Sequence, residues 1–217
     1  MPQPRFHRLD PDRRAAMLRA AAEEFAAHGY DGASLQRIAN RLDVSKGSLY
    51  YYFDDKADLF ETVADEAWRV MLPDDPIDLS SIDARSFWPT LAAELRALSE
   101  RTVSVPWLAG VAKILYHPPP SSAMHDIVSR QLERSRVWIR AAIRRGQELG
   151  VVRTDLPEDL LAAVLMAAAE AADRWAVDTW SSLSADEIVT LADRIFGLLQ
   201  GLAAPTDENV ADRREGT

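Results

Sequence analysis

There is no cysteine in the 217 residues. That removes disulfides, thiolate zinc sites and cysteine nucleophiles together, and nothing in the fold can depend on the redox compartment. Nor is there a run of about 18 apolar residues able to span a bilayer. The opening MPQPRFHRLDPDRR lacks the apolar stretch of a signal peptide, so no membrane partner is expected and the expected location is cytoplasmic. Glycine-rich phosphate loops, G-x-S-x-G elbows and H-E-x-x-H helices are missing too. No catalytic residue, cofactor or enzyme activity is therefore expected. The four histidines, His7, His28, His117 and His125, are dispersed. His117 and His125 flank a proline run and could meet in space, but no metal is assigned to them.

Positive charge is also short, with a formal net charge of −9, which argues against a protein that coats nucleic acid by bulk electrostatics. The shortage is uneven. Residues 1–56 carry nine Lys or Arg against eight Asp or Glu, whereas residues 57–217 carry sixteen against twenty-six. A slightly basic front on an acidic body suits a protein that touches DNA through one face only. With 47% hydrophobic residues, the chain has enough apolar content for a packed core.

The stretch from Ser34 to Lys56 reads as two short helices joined by a tight turn. Ser34 is a good N-cap for a helix whose Leu35, Ile38, Ala39 and Leu42 share one face. Beyond Asp43 and Val44, Ser45 can cap a second helix with Leu49 and Phe53 inward. Gly47, Ser48 and Tyr51 then point outward, with Tyr50 and Tyr52 on the flanks. A face of Gly, Ser and Tyr entered through Lys46 is poorly suited to a core and well suited to a nucleic-acid groove. Gly47 permits close backbone approach, Lys46 can reach guanine or phosphate, and tyrosine hydroxyls can bond phosphate oxygens. On composition alone, the alternative is a helical hairpin whose tyrosines are merely surface-packed.

The run GYDGASLQRIANRLDVSKGSLYYYFDDKADLF, from Gly29 to Phe60, resembles the N-terminal DNA-binding domain of the TetR family of transcriptional regulators. The likeness covers the Gly-Tyr entry, the Ile-Ala-x-x-Leu-x-Val helix and turn, the Ser-x-Gly-Ser-Leu-Tyr recognition helix and the Lys-x-x-Leu-Phe that follows. It implies a DNA interface in which Lys46, Gly47, Ser48, Tyr51 and Gln36 meet base edges, while Ser34, Arg37, Ser45, Tyr50, Tyr52 and Lys56 meet phosphates. Two positions depart from the family pattern. Arg37 stands where an acidic or polar residue often completes a capping box, so the box is lost and a cation is offered to a phosphate in its place. Asp43 stands where glycine or alanine is common in the turn.

The rest of the chain reads as helices, about nine in all. Asp10-Pro11 starts the first, with Leu18, Ala21, Ala22 and Phe25 as its stripe and Gly29 as its stop. Asp55 caps the fourth, and Pro73 and Pro76 end it and open a polar linker of about ten residues. Further helices are expected at about 84–101, 107–116, 122–149, 157–180 and 185–202. The Pro118-Pro119-Pro120 run stops the sixth, and Ser184 with Glu187 forms a capping box for the last. The expected fold is all-α: a three-helix helix-turn-helix domain at 10–55, a connecting helix at 56–72, a helical bundle at 84–203, and flexible tails at 1–9 and 204–217.

The eighth and ninth helices are apolar around most of their circumference, which demands partners on more than one side. Leu165, Ala168, Ala172, Leu191, Ile195, Leu198 and Leu199 are the expected dimer contacts, in line with the family resemblance; the residues alone leave open a monomer with two central core helices. The resemblance also implies an effector pocket in the bundle. Trp107, Tyr116, Trp138, Met166 and Trp175 are its candidate lining for an apolar or aromatic ligand, against plain core packing. The expected function is a homodimeric repressor that binds a pseudo-palindromic double-stranded DNA operator and is released by a small apolar effector. The alternatives are a ligand-binding or scaffold protein with an unused reader, or an enzyme built in the C-terminal bundle.

Overall fold

The computed structural model describes residues 2–71 and 77–205. Its helices are α1 Pro11–Gly32, α2 Leu35–Arg41, α3 Lys46–Tyr50, α4 Lys56–Met71, α5 Phe87–Ser104, α6 Pro106–Tyr116, α7 Ser122–Glu148, α8 Glu158–Thr179 and α9 Ala185–Ala203. There is no strand among the described residues. The protein is all-α.

Two compact units divide the chain: Met1–Asp74 with Arg101–Gln131, and Asp75–Glu100 with Leu132–Thr217. The first is built on α1. Asp10 accepts from the backbone of Asp12 and Arg13, and a proline at the helix start loses no needed N–H. Leu18, Ala21, Ala22 and Phe25 are buried along one face. Gly29, at φ 66°, breaks the helix in a conformation that glycine adopts without strain. Against this face pack Ile38 and Ala39 of α2, Leu49 of α3, and Leu59, Phe60 and Val63 of α4. The apolar face of α6, Leu108, Val111 and Ile114, is buried in the same core. Its backbone approaches α1 so closely that a Cβ on Gly110 would lie 2.4 Å from Ala26 Cβ. By packing, α6 belongs with α1–α4 rather than with the later helices.

The second unit centres on Phe87, Leu91, Ala142, Ile143, Val152, Leu161, Ala162 and Leu165. Pro73 and Pro76, which open the expected linker, lie outside the described residues. From Ile77 onward the linker is structured rather than free. Leu79–Ser81 forms a 3₁₀ turn capped by Asp78, and Ile82 is buried in the second core. Arg145 donates to the carbonyls of Ser80 and Ile82. Asp83 accepts from the backbone of Arg85 and Ser86, so α5 begins at Phe87 and not at 84.

The segment before Asp10 is a second correction. Expected as a tail, it folds back on α3: the Gln3 N–H donates to Tyr52 O, and Phe6, 2% exposed, packs on Phe53 with ring centroids 5.0 Å apart. Of the expected tail at 204–217, residues 206–217 lie outside the described residues.

Candidate nucleic-acid interface

The reader is held by caps at both helix starts. Ser34 Oγ accepts from Arg37 N at 3.4 Å and Ser45 Oγ from Ser48 N at 3.1 Å. Between the helices, Asp43 takes φ 53°, a left-handed conformation that Asp tolerates better than most residues. Val44 N–H donates to Ala39 O at 3.0 Å and closes the turn. Leu49 and Phe53 anchor α3 inward, leaving Lys46, Gly47, Tyr50 and Tyr51 exposed. Ser48 and Tyr52 are half-buried, Ser48 sharing a hydroxyl contact with Ser45 at 2.9 Å and Tyr52 packing on Phe6. Gln36 is exposed on α2 and donates to Asn40 Oδ1.

Gly47 has no internal reason to be glycine. A Cβ there would meet only Ser45 Oγ at 3.6 Å, an ordinary contact, and its φ is not positive. Glycine within a helix costs about 1 kcal/mol relative to alanine. A helix that carries this cost on its exposed face has room for something outside the chain to approach its backbone.

Two cations expected at phosphates, Lys56 and Arg37, and a third nearby, Arg41, are engaged by groups of the chain itself. Lys56 Nζ donates to Tyr30 O, Asp31 O and Ala33 O at 2.8, 3.2 and 3.4 Å, clamping the turn between α1 and α2. Arg37 Nε donates to Glu24 Oε1 at 2.8 Å and its Nη2 to Gly32 O at 2.6 Å. Arg41 pairs with Glu23 at 2.8 Å. Glu24 carries no signal in the sequence that would mark it for this role. It is 2% exposed and accepts the Ser34 N–H at 2.9 Å, the bond that a capping-box carboxylate would supply. The box lost at position 37 is thus completed by α1, and Arg37 neutralises the carboxylate that completes it. Burial pushes the Glu24 carboxyl up, but the Arg37 and Ser34 hydrogen bonds with the charges of Arg37 and His28 outweigh it and hold it below the usual value.

The other candidate residues scatter. Trp107 and Tyr116 are half-buried in the first unit, whereas in the second unit Met166 is buried and Trp138 and Trp175 are exposed. Among the expected dimer contacts, Leu165 is core and Leu199 packs against that core. Ala168, Ala172, Leu191 and Ile195 are half-buried and Leu198 is 62% exposed. The large apolar side chains of α8 that stand exposed are Leu160, Val164 and Trp175, one stripe at helical spacing. Among the described residues no three His, Asp or Glu side chains converge as a metal site.

A capped helix-turn-helix with a solvent-facing second helix, braced by a long first helix in an all-α chain, defines a DNA-reading regulator. Residues 17–63 match the model of bacterial regulatory proteins of the tetR family. The chain is 30% identical over 155 residues to the HTH-type transcriptional repressor AcnR of Corynebacterium diphtheriae, covering 69% of this chain and 73% of that one. It is 27% identical over 169 residues to the HTH-type transcriptional repressor SCO4008 of Streptomyces coelicolor, covering 77% and 80%. Its fold is similar to that of the transcriptional regulator FadR from Bacillus subtilis, solved in complex with stearoyl-CoA, with TM-score 0.70 and 17% identity over 85% of this chain and 96% of that one. This chain belongs to the TetR family of transcriptional regulators.

Proposed function

We propose that the protein is a repressor that binds a pseudo-palindromic DNA operator as a homodimer and is released by a small, largely apolar effector. The observation that carries the DNA part is the outward face of α3, where Lys46, Gly47, Tyr50 and Tyr51 stand free of the core and Gly47 has no internal reason to be glycine. Lys46, Gly47, Ser48, Tyr51 and Gln36 read bases, and Ser45, Tyr50 and Tyr52 meet phosphates. The acidic excess lies outside the reader, and the protein acts in the cytoplasm beside the DNA.

The relatives named as repressors support repression. The acyl-CoA bound by the FadR neighbour supports an apolar effector. Two-fold pairing is supported by the exposed apolar stripe of α8 and by the exposed Leu198 and Leu202 of α9. Two readers related by that axis engage half-sites about one DNA turn apart, on the order of 34–36 Å.

The test is selection of duplexes from a random library by the purified protein, followed by titration with long-chain acyl-CoA. A symmetric enriched site supports the reading, and no enrichment overturns it. Release is a coupling between sites, so operator DNA must weaken acyl-CoA binding by the factor by which acyl-CoA weakens operator binding. An acyl-CoA affinity indifferent to DNA would remove this effector class from the reading.

A further inference from the structure

A DNA-binding face needs cations for the phosphates, because neutralisation of phosphate charge supplies most of non-specific affinity. In this reader Lys56 is held by three carbonyls, Arg37 by Glu24 and Gly32, and Arg41 by Glu23. Of the cations on the helix-turn-helix, Lys46 remains, its Nζ 5.7 Å from the Tyr50 ring centroid. On a chain of net charge −9, one unengaged lysine per reader, beside two exposed arginines already paired with carboxylates, is thin support for a duplex.

A further source of positive charge lies outside the motif. Residues 2–9 contain Arg5, His7 and Arg8 and no acid. This segment is fixed to the far end of α3 at three points: Gln3 N–H to Tyr52 O at 2.9 Å, Gln3 Nε2 to Asp54 Oδ1 at 2.6 Å, and Phe6 buried against Phe53. Between Gln3 and Phe6 stands Arg5, exposed, its guanidinium 4.0 Å from the centroid of the Tyr51 ring. Tyr51 is itself 52% exposed on the outward face of α3. A guanidinium stacked on an aromatic ring loses some of its rotamer freedom before any phosphate arrives, and its remaining N–H groups stay available as a fork that fits phosphate oxygens.

We propose that Arg5 is a DNA-backbone contact of this protein: a guanidinium pre-positioned on Tyr51 by the Phe6 anchor that binds a phosphate flanking the α3 footprint. The inference rests on the DNA-reading function proposed above. Phosphate binding carries no sequence information, so Arg5 contributes affinity and salt dependence but not base preference. Tyr51 then serves both as a groove-facing ring and as the platform that aims Arg5.

The experiment uses the full chain, a duplex enriched from the random library by the wild-type protein, and a scrambled duplex of the same length. The slope of log affinity against log salt is measured for wild type, Arg5→Gln and Arg5→Lys, with a thermal melt of each. Each phosphate left unneutralised lowers the slope by about 0.9, so a dimer with one Arg5 per half-site should lose about 1.8 in Arg5→Gln. The loss should be alike on both duplexes, Arg5→Lys should restore most of the slope, and the melting temperature should not move. An unchanged slope in Arg5→Gln overturns the proposal while leaving the regulator reading intact. So does a changed preference between the duplexes at constant slope. If no duplex is enriched by the wild-type protein, the regulator reading fails and this proposal fails with it.

Discussion

Glu24 shows how much of the reader's stability rests on one side chain outside the motif. It accepts the Ser34 N–H and the Arg37 guanidinium from a site 2% exposed. Truncation leaves the part-buried Ser34 N–H without its acceptor and Arg37 without its carboxylate, so Glu24→Ala should destabilise the protein by about 1–2 kcal/mol, read as a shift in denaturant midpoint. Glu24→Gln keeps an acceptor for Ser34 and should cost less. Because the folded carboxyl titrates below its ordinary value of 4.5, its contribution is fully present above pH 4.5 and is lost as the pH falls through the lower folded value. A stability–pH profile of Glu24→Gln should therefore be flatter than that of wild type in this acidic window.

Lys56 makes a parallel case. Lys56→Ala should lower the melting temperature by removing three carbonyl contacts, and an unchanged melting temperature combined with a flatter salt slope would return the residue to a phosphate role. The caps Ser34 and Ser45 were legible in the sequence because a cap and its target lie three residues apart. The partners of Arg37 and Lys56 were not, because they lie 13 and as many as 26 residues away in the chain, and no local pattern records such a meeting.

At the scale of elements, the helices themselves were readable and their allegiances were not. Proline at 11 and 106, glycine at 29 and the Ser184–Glu187 box act locally, and the structure starts or breaks helices at each of them. What α6 packs against depends on depth of approach, which periodicity does not encode. Gly110 is the signature of that approach, with an added Cβ 2.5 Å from the backbone Cα of Ala26. Since backbone cannot step aside as a flexible side chain can, Gly110→Val should cost on the order of 1–3 kcal/mol by overpacking, or more if α1 and α6 must part. Gly197, whose added Cβ would meet nothing within 4 Å, provides the contrast: Gly197→Ala in the isolated chain should be neutral or slightly stabilising. A thermal melt showing equal loss at both sites would mean that α1 and α6 can part at little cost. Phe6 escaped notice for a related reason, being a single aromatic among prolines and arginines with no period to reveal its burial.

At the scale of the whole molecule, the sequence indicated that α8 and α9 carry more apolar surface than one neighbour can cover, but not which side of α8 is core. Both faces of α8 are apolar, so composition alone cannot say which is core, and only packing shows Leu165 turned inward while Leu160, Val164 and Trp175 face out. Exposed large apolar side chains on one helix face suit an association site, which a two-fold axis would make self-complementary. The two faces predict opposite failures. Leu165→Glu buries an unpaired carboxylate and should unfold the second unit. Leu198→Glu, at a position 62% exposed, should leave the melt cooperative and the helical content intact but yield monomers in sedimentation velocity. A monomer engages one half-site, so its salt slope on the selected operator should be about half that of wild type, because the slope counts phosphates neutralised. A Leu198→Glu protein that sediments as wild type and keeps the full slope would place the dimer contact elsewhere on the molecule.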